Sequence, residues 1–261
     1  MSHFDWTTAS DDDVDYQYSP SRFGLQPLDK YLAEYAQLST PFRGESLTVP
    51  EAPLLVYIHG GYWQRLSAGD SLFNAADAQQ LGISLHAVEY TLAPHATVAE
   101  IVDECINDVL QTLQQLRPSR VVIAGCSAGA HIAAMCARHP DVQPRIDGIA
   151  LLSGIYDVRP IVRTPTNDPL HLTNETASAI SPQLLPPTLP PRHALLAVGE
   201  HESSEFIRQN NEYGQLLNHQ GADVTIEVIP GRDHFNLPYD LLRHGTTVGD
   251  WVIEILKEQN T

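Results

Sequence analysis

Basic residues are scarce in this chain: 15 Lys and Arg stand against 32 Asp and Glu, a formal charge of −17. Such a surface repels a polyanion at long range, which argues against nucleic acid as a partner. Long apolar runs are missing too. No stretch approaches the roughly 18 apolar residues of a membrane helix, and the opening MSHFDWTTASDDDVD has neither the basic nor the apolar region of a secretory signal. No membrane association is expected, and the expected compartment is the cytoplasm. Cysteine is limited to Cys105, Cys126 and Cys136, all in apolar segments without metal-type spacing. That argues against a disulfide framework or structural zinc and for small buried hydrophobes. The 12 histidines form no H-x-E-x-H or H-E-x-x-H pattern, so neither a catalytic metal nor another cofactor is expected.

What is present is 261 residues, 43% of them hydrophobic, enough to bury a sizeable core in one domain. Apolar runs rich in β-branched residues recur at 54–58, 84–90, 121–125, 148–153, 194–199 and 224–229. Most are near-continuously hydrophobic, as strands covered on both faces tend to be. Helical periodicity lies between them. It is clearest over 97–116, where Ile101, Cys105, Val109, Leu113 and Leu116 recur every three or four residues before Pro118, with further helices predicted at 203–220 and 237–258. Alternation of this kind predicts an α/β fold with a mostly parallel central sheet flanked by helices. Two stretches fall outside it. Residues 1–20 read as a loose acidic tail (Asp11, Asp12, Asp13, Asp15), followed by one helix near 28–38 and a short edge strand near 46–49. Residues 155–192 hold eight of the 19 prolines and no clear period, and so long a segment reads as a short cap or lid above the sheet.

The chemistry-bearing pattern is Gly125-Cys126-Ser127-Ala128-Gly129, a G-x-S-x-G between a predicted strand and a helical segment. The glycines permit a sharp strand-to-helix turn that lifts Ser127 Oγ out of the sheet, and the helix N-terminus behind it favours an oxyanion. A serine needs a base oriented by an acid. In this kind of sheet both lie on late strand-end loops, in the order Ser, acid, His. His234 is the base expected after the last strand. Among the acids, Glu202 lies three residues beyond Gly199; Glu200 is close to the strand and Glu205 falls in the next helical pattern. The third requirement is a set of oxyanion donors. His59-Gly60-Gly61-Tyr62-Trp63 leaves the first strand, and its glycines can turn backbone N–H groups inward, so Gly61, Tyr62 and Ala128 are the expected donors. His59 is expected to brace that loop. Tyr62 and Trp63 offer an aromatic wall to substrate, with Trp63 alternatively packing beneath the loop; His131 and the remaining histidines read as structural or surface residues.

These motifs resemble the α/β-hydrolase superfamily. His59-Gly60-Gly61-Tyr62-Trp63 together with Gly125-Cys126-Ser127-Ala128-Gly129-Ala130-His131 is similar to its kynurenine formamidase (arylformamidase) branch, whose H-G-G-x-W has the oxyanion role. Glu202-Ser203-Ser204-Glu205-Phe206 with Arg208-Gln209 resembles the segment where that branch carries its catalytic Asp, and Glu202 falls on the Asp position. Asp233-His234-Phe235 resembles the surroundings of the family's catalytic His; Tyr90-Thr91-Leu92-Ala93-Pro94 and Gly154-Ile155-Tyr156-Asp157 are similar as well. The likeness runs from about 54 to 236, with an echo near Tyr18-Ser19-Pro20. It implies a single α/β-hydrolase domain over 1–261, acting as a serine hydrolase through Ser127, His234 and Glu202 on a small N-acyl arylamine such as N-formylkynurenine. The expected partner is that small aromatic acyl amide or ester, with a homodimer also allowed for. A carboxylesterase for small acyl esters is the close alternative. A non-catalytic ligand-binding fold and an acyltransferase are the readings from other classes.

Overall fold

The computed structural model describes residues 4–258. The strands are β1 (Leu54–Ile58), β2 (Ser84–Val88), β3 (Val121–Cys126), β4 (Gly148–Leu152), β5 (His193–His201) and β6 (Asp223–Asp233). Among the described residues they form one sheet in the order β2-β1-β3-β4-β5-β6, with every neighbouring pair parallel. Helices are α1 (Asp11–Gln17), α2 (Leu28–Ser39), α3 (Ala75–Leu81), α4 (Val98–Leu116), α5 (Ala128–Arg138), α6 (Asn174–Ala179), α7 (Ser204–His219) and α8 (Thr247–Lys257). No described helix is long and apolar enough to cross a membrane.

Alternate residues of each central strand serve opposite layers, because successive side chains leave a strand on opposite faces. Leu54, Val56 and Ile58 of β1 and Ile123 of β3 pack with α4, α5 and α7 residues such as Ile101, Val109, Ile132 and Phe206. Leu55, Tyr57, Val122 and Ala124 face α3 and α8, through Ala75, Ala78, Val248 and Val252. Being covered twice, β1, β3 and β4 are buried at every position, which is why their sequences run apolar without alternation. Helix α4 starts on a capping box between Thr97 and Glu100 and ends on Arg117 in the left-handed region, directly before Pro118.

Several expectations are corrected. Residues 11–17 are not a loose tail: Ser10 caps α1 by accepting from Asp13 N–H, three aspartates lie in its first turn, and Val14 is fully buried. Acidic side chains favour that end of a helix dipole. The first three residues of the predicted tail lie outside the described residues. No strand forms at 46–49, although Leu47 O accepts from Leu85 N and Val49 N donates to Ser84 Oγ. The helix predicted over 237–258 is two elements, a 3-10 turn at Leu237–Asp240 and then α8, which restarts on its Thr246 cap after Gly245 at φ +81°. Residues 155–192 contain 3-10 turns and the short α6.

Candidate active site

The sheet order reverses direction next to β1, and side-chain chemistry gathers at the carboxyl ends of β1 and β3, where such a switch point opens a crevice. A cavity of about 670 Å³ lies there, lined by His59, Gly60, Gly61, Tyr62, Ser127 and His234 among others. Ser127 occupies the turn between β3 and α5 at φ 59°, ψ −122°, a conformation strained for a non-glycine residue. The two motif glycines make the turn possible. An added Cβ on Gly125 would strike the backbone of Gly129, and one on Gly129 would strike the carbonyl oxygens of Ile58 and His59. The serine is therefore held by contacts that leave no space for a methyl group. Its neighbour Cys126 is buried, and burial, reinforced by the carboxylates of Glu202 and Asp233, pushes the thiol well above its ordinary pKa. That leaves a protonated, unreactive thiol beside the serine hydroxyl.

His234 follows β6 and is 4% exposed. Its Nδ1 lies 2.7 Å from Glu202 Oε2. A carboxylate only accepts, so Nδ1 carries the proton of this bond, and Nε2 is the ring nitrogen left for another partner. Glu202 Oε1 accepts from Ser153 Oγ and from Gly199 N–H at 3.1 Å. The other two candidate acids are engaged elsewhere: exposed Glu200 accepts from Gly231 N–H, and buried Glu205 is paired to Arg208 and takes a hydrogen bond from Tyr18.

The loop after β1 passes directly against the serine. A Cβ on Gly60 would lie 3.2 Å from Ser127 Cβ and 2.8 Å from Cys126 O. Gly61, Tyr62 and Trp63 then take φ values of 98°, 54° and 60° in succession, which folds the loop back so that Gln64 N–H donates to Gly61 O at 3.0 Å. Ala128 is the first residue of α5, so its N–H has no acceptor within the helix. His59 braces the loop. Its Nδ1–H donates to Gly60 O at 2.9 Å, its ring stacks on Tyr90 with centroids 4.2 Å apart, and the Tyr90 hydroxyl donates to His59 O. Burial lowers its pKa, outweighing the opposing pull of the Gly60 carbonyl.

Trp63 corrects an expectation: it is fully buried under the loop, edge-on to His131 with ring centroids 5.2 Å apart, and is not part of the cavity wall. Tyr62 does line the cavity, its hydroxyl tied to Tyr18 O at 2.5 Å. The aromatic wall comes instead from Tyr35, Tyr57, Phe73 and Phe235. Sequence reasoning missed those four, and with them Tyr18, Leu28 and Leu32 from the N-terminal segment, which close the cavity from above the loop. This segment is tied down by Asp233, beside His234. The Asp233 carboxylate accepts from Tyr31 OH at 2.5 Å and from the N–H groups of Leu25, Phe235 and Asn236. Burial opposes its ionisation, but these donors prevail and hold its pKa below the ordinary value.

Comparison with known proteins follows the same lines. A model of the α/β-hydrolase fold family matches residues 55–237. The kynurenine formamidase of Danio rerio is 35% identical over 269 residues, covering 89% of this chain and 92% of the relative. That of Salmo salar is 34% identical over the same shares of the two chains. A hyperthermophilic esterase from the archaeon Pyrobaculum calidifontis superposes with a TM-score of 0.70 at 16% identity, covering 94% of both chains, a likeness of fold alone.

Proposed function

Because the chain belongs to the α/β-hydrolase family, within its kynurenine-formamidase-like branch, and is a hydrolase of arylformamidase type, we propose that it cleaves small N-acyl arylamines, N-formylkynurenine among them, through a Ser127–His234–Glu202 triad and an acyl-enzyme. The observation that carries this reading is the His234 Nδ1 to Glu202 hydrogen bond of 2.7 Å in the wall of the cavity that Ser127 lines. Ser127 Oγ attacks the acyl carbonyl while His234 Nε2 takes its proton. Backbone N–H groups of Gly61, Tyr62 and Ala128 hold the oxyanion, in a loop and helix start with little freedom to move. His234 then protonates the departing arylamine, and water repeats the cycle on the acyl-enzyme.

The aromatic nature of the leaving group is supported by the wall of Tyr35, Tyr57, Phe73 and Phe235, a surface suited to an aryl ring. An arylamine also leaves more readily than an alkylamine. The chain is read as one α/β-hydrolase domain in which 155–192 act as the cap, since Pro165 and Thr166 reach the cavity. Its three cysteines are unpaired thiols, in keeping with a reducing cytoplasm.

The test is turnover of N-formylkynurenine, a simple anilide and p-nitrophenyl acetate by the wild-type protein and Ser127→Ala. A kcat/KM for the formamide or anilide near or above that for the activated ester is expected. Strong preference for the ester would make the protein a carboxylesterase. Folded protein inactive on all three, and unlabelled at Ser127 by a fluorophosphonate, would overturn the serine-hydrolase reading and leave a ligand-binding fold.

A further inference from the structure

Ser153 has no part in the steps just described, yet its placement is unusual. It follows β4 directly, is fully buried, and sits at φ +48°. Glycine adopts that region freely, whereas a residue with a Cβ is strained there. The backbone of this turn has no need of a serine: Ser153 N–H is already satisfied by Ala197 O at 2.8 Å, extending the pairing of β4 with β5 by one residue. What serine adds over glycine is its hydroxyl, and Oγ donates to Glu202 Oε1. The strained position and the buried bond together indicate that the side chain is the reason for the residue.

The same bond bears on the replacement of Asp by Glu at the acid position. A glutamate carries one more rotatable bond than an aspartate, so its carboxylate has more orientations to choose from. Here both oxygens are engaged. Oε2 faces His234 Nδ1 at 2.7 Å, while Oε1 is held by Ser153 and by Gly199 N–H at 3.1 Å. Gly199 is itself fixed, since a Cβ there would come within 2.5 Å of Arg232 O. Two donors on one oxygen set the plane of the carboxylate and direct the other oxygen at the imidazole.

We infer that Ser153 is a positioning residue for the triad, whose hydroxyl fixes the rotamer of Glu202 and through it the Nδ1–H tautomer and orientation of His234. This rests on the triad reading above. It also gives a purpose to the start of the Ser153-Gly154-Ile155-Tyr156-Asp157 segment. There Gly154 admits the Tyr156 ring, which an added Cβ would strike, and Ser153 serves the acid.

The experiment compares Ser153→Gly and Ser153→Ala, each alone and combined with Glu202→Gln, on the anilide and the activated ester. Ser153→Gly relieves the strained backbone, so folding is retained, and a residue that only shaped the turn would lose nothing by it. The expected result is a kcat lowered roughly 10- to 100-fold in both single variants, the range set by a hydrogen bond to a charged group, with KM within about twofold. Ser153→Gly should add less than about twofold to the loss already caused by Glu202→Gln. A glycine variant with at least half of wild-type kcat, beside a crippled Glu202→Gln, would overturn the inference and leave the triad standing. So would losses that multiply in the combined variant. Near-full activity in Glu202→Gln would bring down the triad reading and this inference together.

Discussion

Lowering the pH from 7.5 to 5.5 is expected to remove about 1.4 kcal/mol of folding stability through His131 alone. The imidazole is fully buried in α5, with Nε2–H donating to Ile180 O at 2.7 Å. Because a carbonyl only accepts, the proton is on Nε2, and Nδ1 faces protein without a partner among the described residues. Burial lowers the pKa from 6.5 to about 4, against the opposing pull of the Ile180 carbonyl. The folded protein thus refuses a proton that the unfolded chain accepts. The stability this represents is complete above pH 6.5 and is lost as pH falls toward 4, below which it changes no further. At pH 5.5 the unfolded imidazole is protonated by about tenfold over its neutral form and the folded one hardly at all, and RT ln 11 is the 1.4 kcal/mol quoted. The assay is urea unfolding of the wild type and His131→Gln at both pH values, which stay above the isoelectric point of about 4.9 and so keep the chain negatively charged and soluble. Glutamine retains an N–H donor for Ile180 and does not titrate. His59, whose pKa is also lowered by burial, is common to both proteins and cancels. The stability difference between the two should change by about 1.4 kcal/mol between the two pH values. An unchanged difference would refute the reasoning, because it would mean that His131 takes up its proton inside the fold.

Ser127→Ala and His234→Ala should each lower kcat by several orders of magnitude, with loss of fluorophosphonate labelling in the first. Glu202→Gln should be severely impaired and Glu200→Gln close to wild type, since exposed Glu200 accepts from Gly231 N–H of the neighbouring strand and lies near His201, away from His234; the reverse order, read by kcat/KM, would move the acid assignment. Gly129→Ala should prevent accumulation of folded protein or destabilise it by several kcal/mol in urea unfolding, because the new methyl meets the carbonyl oxygens of Ile58 and His59.

The elements that were legible in the chain are those whose cause is local or periodic. Strands β1, β3 and β4 run apolar because they are covered twice, and α4 carries its own capping box, stop and 3.6-residue repeat. The strand-to-helix turn at Ser127 was legible because its glycines are demanded by backbone collisions, and the strand-end position of His234 because it directly follows the last apolar run. Tyr35, Tyr57 and Phe73 were not legible, since they converge on the cavity from separate elements and nothing local to each marks it. Ser153 was missed for a similar reason: a hydroxyl at a strand end looks the same whether it meets water or a buried carboxylate. The acidic segment at 11–17 was misread because charge density was weighed above Ser10, a cap residue followed by aspartates, which is a helix start in its own right. Trp63 follows the Gly60-Gly61-Tyr62 loop in sequence, but in space it belongs to the layer beneath it.

The attachment of the N-terminal segment has a consequence for how the enzyme comes into being on the ribosome. Tyr31 and its acceptor Asp233 are 202 residues apart, and Tyr18 and Glu205 are 187 apart. Residues 18–31 therefore wait for residues 205–233 before the cavity has its outer wall. Contacts of such separation form late, after the entropy of closing the intervening chain has been met. The serine turn can be built once β1, β3 and α5 exist, but the imidazole proposed as its base and the anchor of the N-terminal segment arrive together, as two adjacent residues, His234 and Asp233. On the triad proposed above, a nascent chain carries Ser127 through the making of β4, β5 and β6 before His234 follows, so the pairing of the two and the anchoring of the enclosing segment fall at one stage.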